Sequence, residues 1–207
     1  MAKAFLIGGT PRVGKTTLVL SLIEQKPMLA SSTDAIRYTL RQVINPMESP
    51  ELFKIDSVKW DSDEARRSLN DETQEAILRQ NAESEVVWKS VINFINSNLE
   101  DGFDIAIEGI AVLPKLVSHL DCEYNAVFLG NKSETHFRRI LESARANPND
   151  WMHNLSDETI HAFSVFNIAF SEQIEIEANK YGMKYIEVED ANFERSMSSA
   201  LQQLLNT

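Results

Sequence analysis

Cysteine is all but absent from this chain: Cys122 stands alone among 207 residues. One thiol closes no intrachain disulfide, so the core must hold itself together, and a reducing, cytoplasmic setting is the expectation. Long apolar runs are missing as well. None approaches the roughly 20 residues that a membrane span needs, and the first residues lead into a short strand-like run where a signal peptide would carry a basic, then apolar, segment. Neither a membrane nor a secretory route is therefore expected. Cations are scarce: 20 Lys and Arg face 31 Asp and Glu, a formal net charge of −11. That balance argues against nucleic-acid partners and anionic membranes, because a phosphate backbone demands clustered Lys and Arg. It leaves room for a local basic pocket holding a small anion. Repeats and low-complexity tracts are absent, and the 43% hydrophobic and 25% charged content is that of one globular domain over residues 1–207. None of this sets an oligomeric state.

Glycine is sparse, seven in all, yet it clusters near the start. Phe5-Leu6-Ile7 reads as a strand, Thr16-Thr17-Leu18-Val19-Leu20 as a helix, and between them Gly9-Thr10-Pro11-Arg12-Val13-Gly14-Lys15-Thr16 matches the pattern GxxxxGK[ST] throughout. The residue types explain the chemistry. Gly9 and Gly14 let the backbone turn with amide N–H groups facing inward, where an anion accepts them, and the helix N-terminus adds partial positive charge. Lys15 reaches β- and γ-phosphate oxygens, the Thr16 hydroxyl is placed to ligate Mg²⁺, and Thr17 completes the cradle. The expectation is a nucleoside triphosphate site, with ATP and Mg²⁺ as cofactors. Pro11 and Arg12 are atypical there; Arg12 stands where many such loops carry another glycine, and it either takes an unusual backbone angle or itself reaches phosphate.

Beyond the loop the chain alternates. Pro27 closes the first helix, and Met28 to Ser32 reads as a second strand. Thr33-Asp34 caps a helix from Ala35. Residues 51–68 show no clear period, and 51–70 is expected to form an acceptor-side cover. The longest helix is expected from Asn70 or Asp71 to Leu99, then a strand, Asp104 to Gly109, that ends in an acid. Pro114 opens a short helix, Tyr124 to Gly130 is a strand, and His136 begins a helix reaching Asn147-Pro148. Residues 145–157 are expected to form a lid, followed by a helix from Ser156-Asp157 to Lys180, a strand over Lys184 to Val188, and a last helix over Phe193 to Leu205. This order predicts an α/β three-layer sandwich with a five-stranded parallel sheet, whose ligands gather at the C-terminal ends of the strands.

Phosphoryl transfer asks for cations around the phosphates and a carboxylate that orients or deprotonates the acceptor. Asp34 and Glu108 each follow their strand to that edge. Glu108 stands where an acid would hold Mg²⁺, partly through water, and with Gly109 it is expected to border the acceptor. The segments IGGTPRVGKTTL, SSTDAIR and DIAIEG with its following proline, and the HFRR helix with a further arginine, resemble small P-loop kinases of the 2-phosphoglycerate kinase type. The resemblance implies an ATP-dependent kinase in which Asp34 activates the acceptor hydroxyl and Arg37 holds the acceptor's anionic group. It also implies that Arg138, Arg139 and Arg145 close over the phosphates. Adjacent helical positions point about 100° apart, so at most one of Arg138 and Arg139 is expected to reach the site.

The acceptor itself is open. A phosphoglycerate-like metabolite and a nucleoside or nucleotide are both compatible with the pattern, and a nucleotide-regulated binding protein without phosphotransfer is a further alternative. Asn131-Lys132-Ser133-Glu134 resembles a guanine-reading box but lacks its Asp. His119, His136, His153 and His161 lack metal-ligand spacing, and Trp60 and Trp151 are expected to pack ordinarily.

Overall fold

The computed structural model describes residues 2–54 and 59–206. Five strands form its sheet: β1 (Ala4–Gly9), β2 (Leu29–Ser32), β3 (Ile105–Gly109), β4 (Tyr124–Gly130) and β5 (Lys184–Glu187). Their spatial order is β2-β3-β1-β4-β5, with every neighbouring pair parallel. Strand β1 therefore lies in the middle, fully buried, and the crossovers between strands are helical, as parallel pairing requires.

Side chains alternate across the sheet and so build two cores. Leu6, Ile105, Ile107 and Phe128 face one way, onto the long helices α4 (Thr73–Glu100) and α7 (Asp157–Lys180). Phe5, Ile7, Ala106, Val127 and Leu129 face the other way, onto α1 (Lys15–Gln25) and α8 (Phe193–Leu205). The architecture is the predicted α/β three-layer sandwich with a five-stranded parallel sheet.

Three sequence readings need correction. The segment after Pro50 is not irregular throughout: Pro50–Leu52 forms a 3-10 turn and Asp63–Asn70 a helix, α3. Ser62 caps α3 by accepting Ala65 N–H at 3.1 Å, and Asp63 and Glu64 occupy its first turn, where acids suit the helix dipole. Consequently the long helix α4 starts at Thr73, not at residue 70 or 71. The cap of α2 (Thr33–Val43) is Ser32, whose hydroxyl accepts Ala35 N–H at 3.1 Å; this puts Asp34 inside the first turn. Of the expected cover, residues 55–58 lie outside the described residues. Helices α5 (Pro114–Val117) and α6 (His136–Ala146) complete the set.

Candidate active site

The strand register assembles the site. Ile7 pairs with Glu108, and Glu108 with Ser32, so the ends of β1, β3 and β2 lie side by side and their following residues converge. Gly109 makes this possible. It adopts φ +147, and a Cβ there would lie 1.9 Å from Thr33 Oγ1. Any side chain at 109 would push the start of α2, and Asp34 with it, away from β3.

Within the loop, Gly14 caps α1 in the left-handed conformation at φ +96, and a Cβ would meet the Phe193 ring at 2.8 Å. Lys15 folds back so that Nζ donates to Thr10 O at 2.7 Å. Burial pushes the Lys15 pKa down, opposed by the carboxylates of Glu108 and Asp34. Both acids thus lie close enough for the lysine to feel their charge. Thr16 Oγ1 donates to Glu108 Oε1 at 3.0 Å. A hydroxyl and a carboxylate side by side are a hard-oxygen donor pair that could hold Mg²⁺ if other oxygens filled its remaining positions. Among the described residues no group of three His, Cys, Asp or Glu side chains is arranged to hold a metal without such help.

Helix α7 supports the loop from beneath. Asn167 Nδ2 donates to Pro11 O at 3.2 Å, Thr10 Oγ1 and Ser171 Oγ lie 3.2 Å apart, and Ser171 Oγ accepts Asn131 N–H at 3.1 Å. The Asn131 amide is itself buried and donates to Val188 O and Asp190, so the asparagine of the guanine-box lookalike serves the protein's own interior, while Ser133 and Glu134 are exposed.

At the start of α2 Asp34 keeps a side chain 57% exposed, 3.4 Å from Arg37. Arg37 continues to Glu83 at 3.1 Å, and Arg41 reaches the same carboxylate at 3.4 Å. Desolvation opposes the charge of Arg37, but Asp34 and Glu83 outweigh it and raise its pKa.

The three lid arginines do not converge. Arg138 is exposed. Arg139 donates to Asp190 at 2.9 Å and stacks on Phe193 with its guanidinium carbon 4.4 Å from the ring centre. Arg145 is bound to the segment expected to move: it donates to the carbonyls of Met152, His153 and Leu155 and pairs with Asp157. That segment also meets the cover. Trp60, Trp151 and Phe163 form an aromatic cluster with centroids 4.9 to 5.9 Å apart, and Asp61 accepts the Ser156 and Thr159 hydroxyls at 2.6 and 2.7 Å.

Sequence reasoning missed Glu83 and Asp150. Glu83 had a signal, since it shares a helical stripe with Ile77, Gln80, Val87 and Val91. A carboxylate on an apolar stripe asks for a buried partner. Asp150, which pairs with Arg12, had none.

The sheet order, the loop and the strand-end acids together define the fold of the P-loop kinases. A shikimate kinase from Bacteroides thetaiotaomicron superposes with a TM-score of 0.54 at 16% identity, covering 100% of this chain and 99% of its own. A second, from Acinetobacter baumannii and solved in complex with shikimate, gives 0.50 at 12% identity over 100% and 94%. In sequence, the chain is similar to a 2-phosphoglycerate kinase of Methanopyrus kandleri, 24% identical over 126 residues. That match covers 60% of this chain but spans only 37% of the length of the curated relative. No protein-family profile matches the chain.

Proposed function

We propose that this chain is an ATP-dependent phosphotransferase that moves the γ-phosphate to an oxygen of a small, anionic, phosphoglycerate-like metabolite. The observation that carries the reading is the convergence of Lys15, Thr16, Glu108 and Asp34 at the ends of three adjacent strands. A phosphate loop alone binds nucleotide; a half-exposed carboxylate beside it, with an arginine 3.4 Å away, gives the phosphate somewhere to go. The name of the curated relative supports the acceptor class.

In this reading the loop N–H groups between Gly9 and Gly14, Pro11 having none, and the Lys15 ammonium hold the β- and γ-phosphates. The Thr16 hydroxyl and the Glu108 carboxylate hold Mg²⁺, which neutralises phosphate charge when bound. Arg37 orients the anionic group of the acceptor. Asp34 takes the hydroxyl proton as the acceptor oxygen bonds to the γ-phosphorus and the bond to the bridging oxygen breaks, releasing ADP. Arg139 stacks on Phe193, whose ring lies against Gly14, and so brings a cation to the flank of the loop.

The test is acceptor-dependent ADP release, with ATP and Mg²⁺ and a panel of 2-phosphoglycerate, other phosphorylated hydroxy acids, shikimate and nucleosides. Release driven by a phosphorylated hydroxy acid and abolished in Lys15→Ala is expected. Tight ATP binding without release for any acceptor would point to a binding protein instead.

A further inference from the structure

Arg12 is the one described non-glycine residue with positive φ, +66. The left-handed region suits glycine, because a Cβ there crowds the following carbonyl oxygen. The chain nonetheless places an arginine at this point of its phosphate loop and anchors it from outside. Both terminal nitrogens bond the Asp150 carboxylate at 2.6 Å, one to each oxygen. The pair is well shielded, the side chains being 26% and 7% exposed. Asp150 is in turn fixed by accepting Met152 N–H at 2.9 Å.

We infer that Asp150 is a positioning residue of the nucleotide site, whose clamp on Arg12 holds the phosphate loop in a conformation that a glycine at position 12 would adopt unaided. The inference rests on the proposed nucleotide site. A planar guanidinium gripped at both nitrogens restricts translation and rotation at once, so the clamp constrains the loop backbone and not merely the side-chain tip. Pro11 on one side is held by Asn167 at 3.2 Å, and Lys15 closes back on Thr10. Residue 12 is the remaining part of the turn with an unfavourable dihedral, and Asp150 is what opposes its relaxation. The pKa of Asp150 is held low, first by this hydrogen-bonded pairing with Arg12, in keeping with a permanent ion pair. The two nitrogens that would make a forked contact with phosphate are occupied by the carboxylate, so Arg12 acts on the nucleotide through the loop amides.

The clamp and a direct phosphate contact are separated by a double-mutant cycle, with AMPPNP·Mg²⁺ as probe and calorimetry as readout. Asp150→Asn preserves size and one acceptor oxygen but loses the charge and half of the fork. In the wild-type background it is expected to weaken AMPPNP about tenfold; in the Arg12→Gly background, where the dihedral needs no clamp, by less than about twofold. Equal losses in both backgrounds, or no loss in either, would overturn the inference. Hydrogen exchange of the amides of residues 9, 10 and 12–14 in the nucleotide-free protein gives the second readout. Exchange faster in Asp150→Asn and slowed again in the Arg12→Gly/Asp150→Asn double variant is expected; unchanged exchange in Asp150→Asn would count against the clamp. Should wild-type protein not bind AMPPNP, the nucleotide reading fails, while the exchange experiment still decides whether Asp150 sets the loop.

Discussion

Glu83, midway along α4, reaches Arg37 of α2 at 3.1 Å with its own side chain 2% exposed. The carboxylate also meets Arg41, itself 5% exposed, at 3.4 Å. It therefore decides where the arginine nearest Asp34 points. Glu83→Gln keeps the volume but removes the charge shared by two sequestered guanidiniums, a loss that costs about 3 kcal/mol when one partner of a buried pair disappears. Urea unfolding should show that destabilisation, and in a turnover assay the acceptor KM should rise while the ATP KM holds. Wild-type stability would mean that the pair contributes little.

Asp34 has a different signature. Asp34→Asn retains its place in the first turn of α2, capped by Ser32, and loses the proton-accepting charge. The variant also gives up the ion pair to Arg37, at an exposed site where such a pair contributes little to stability, so folding and triphosphate affinity should persist while turnover falls by about 10²-fold, the ordinary contribution of a general base. Wild-type turnover in this variant would remove Asp34 from the chemistry.

Asp61 makes a prediction in pH. The Ser156 hydroxyl, then the Thr159 hydroxyl, then the Ser156 amide lower its pKa to about 2. The folded value is below the unfolded one, near 3.9, so the stabilisation is complete above pH ~4 and lost as pH falls toward 2. Between those limits the joint between the cover and the start of α7 should loosen. Comparing acid titrations of wild type and Asp61→Asn, followed by Trp60 and Trp151 fluorescence, isolates this carboxylate from Asp104 and Asp150, whose pKa values are also held low. Superimposable curves would exclude Asp61 as the link.

The contrast between these residues shows what was legible beforehand. The alternation of strand and helix, the loop motif and the acids at the ends of β2 and β3 are local patterns, and each stands where its period or spacing indicated. Helix α3 carried a local signal as well, Ser62 followed by two acids, hidden by the lack of an apolar period over eight residues. The Arg12–Asp150 and Asp61–Ser156 pairs are separated by 138 and 95 positions. Their exposed-looking side chains resemble any other surface charge until the fold brings them together.

Arg145 was expected to face phosphate and instead bonds three carbonyls and Asp157. Arg145→Ala should therefore act on the segment before it acts on catalysis. Losing this cluster of charge-assisted bonds at a partly exposed site costs about 1 kcal/mol, so proteolysis between residues 147 and 156 should quicken roughly fivefold. Unchanged cleavage would leave Arg145 free for another task.

Helix α4 runs for 28 residues, a rod of about 42 Å at 1.5 Å per residue, and only four residues separate its end from β3. The stretch from Ile44 to Glu72, with α3, is thus a detour that leaves α2 and rejoins the framework at the head of the rod. Among its described residues none pairs with a strand of the sheet. Chain added between its buried anchors Leu52 and Leu69 enters neither a strand nor the loop that carries Lys15.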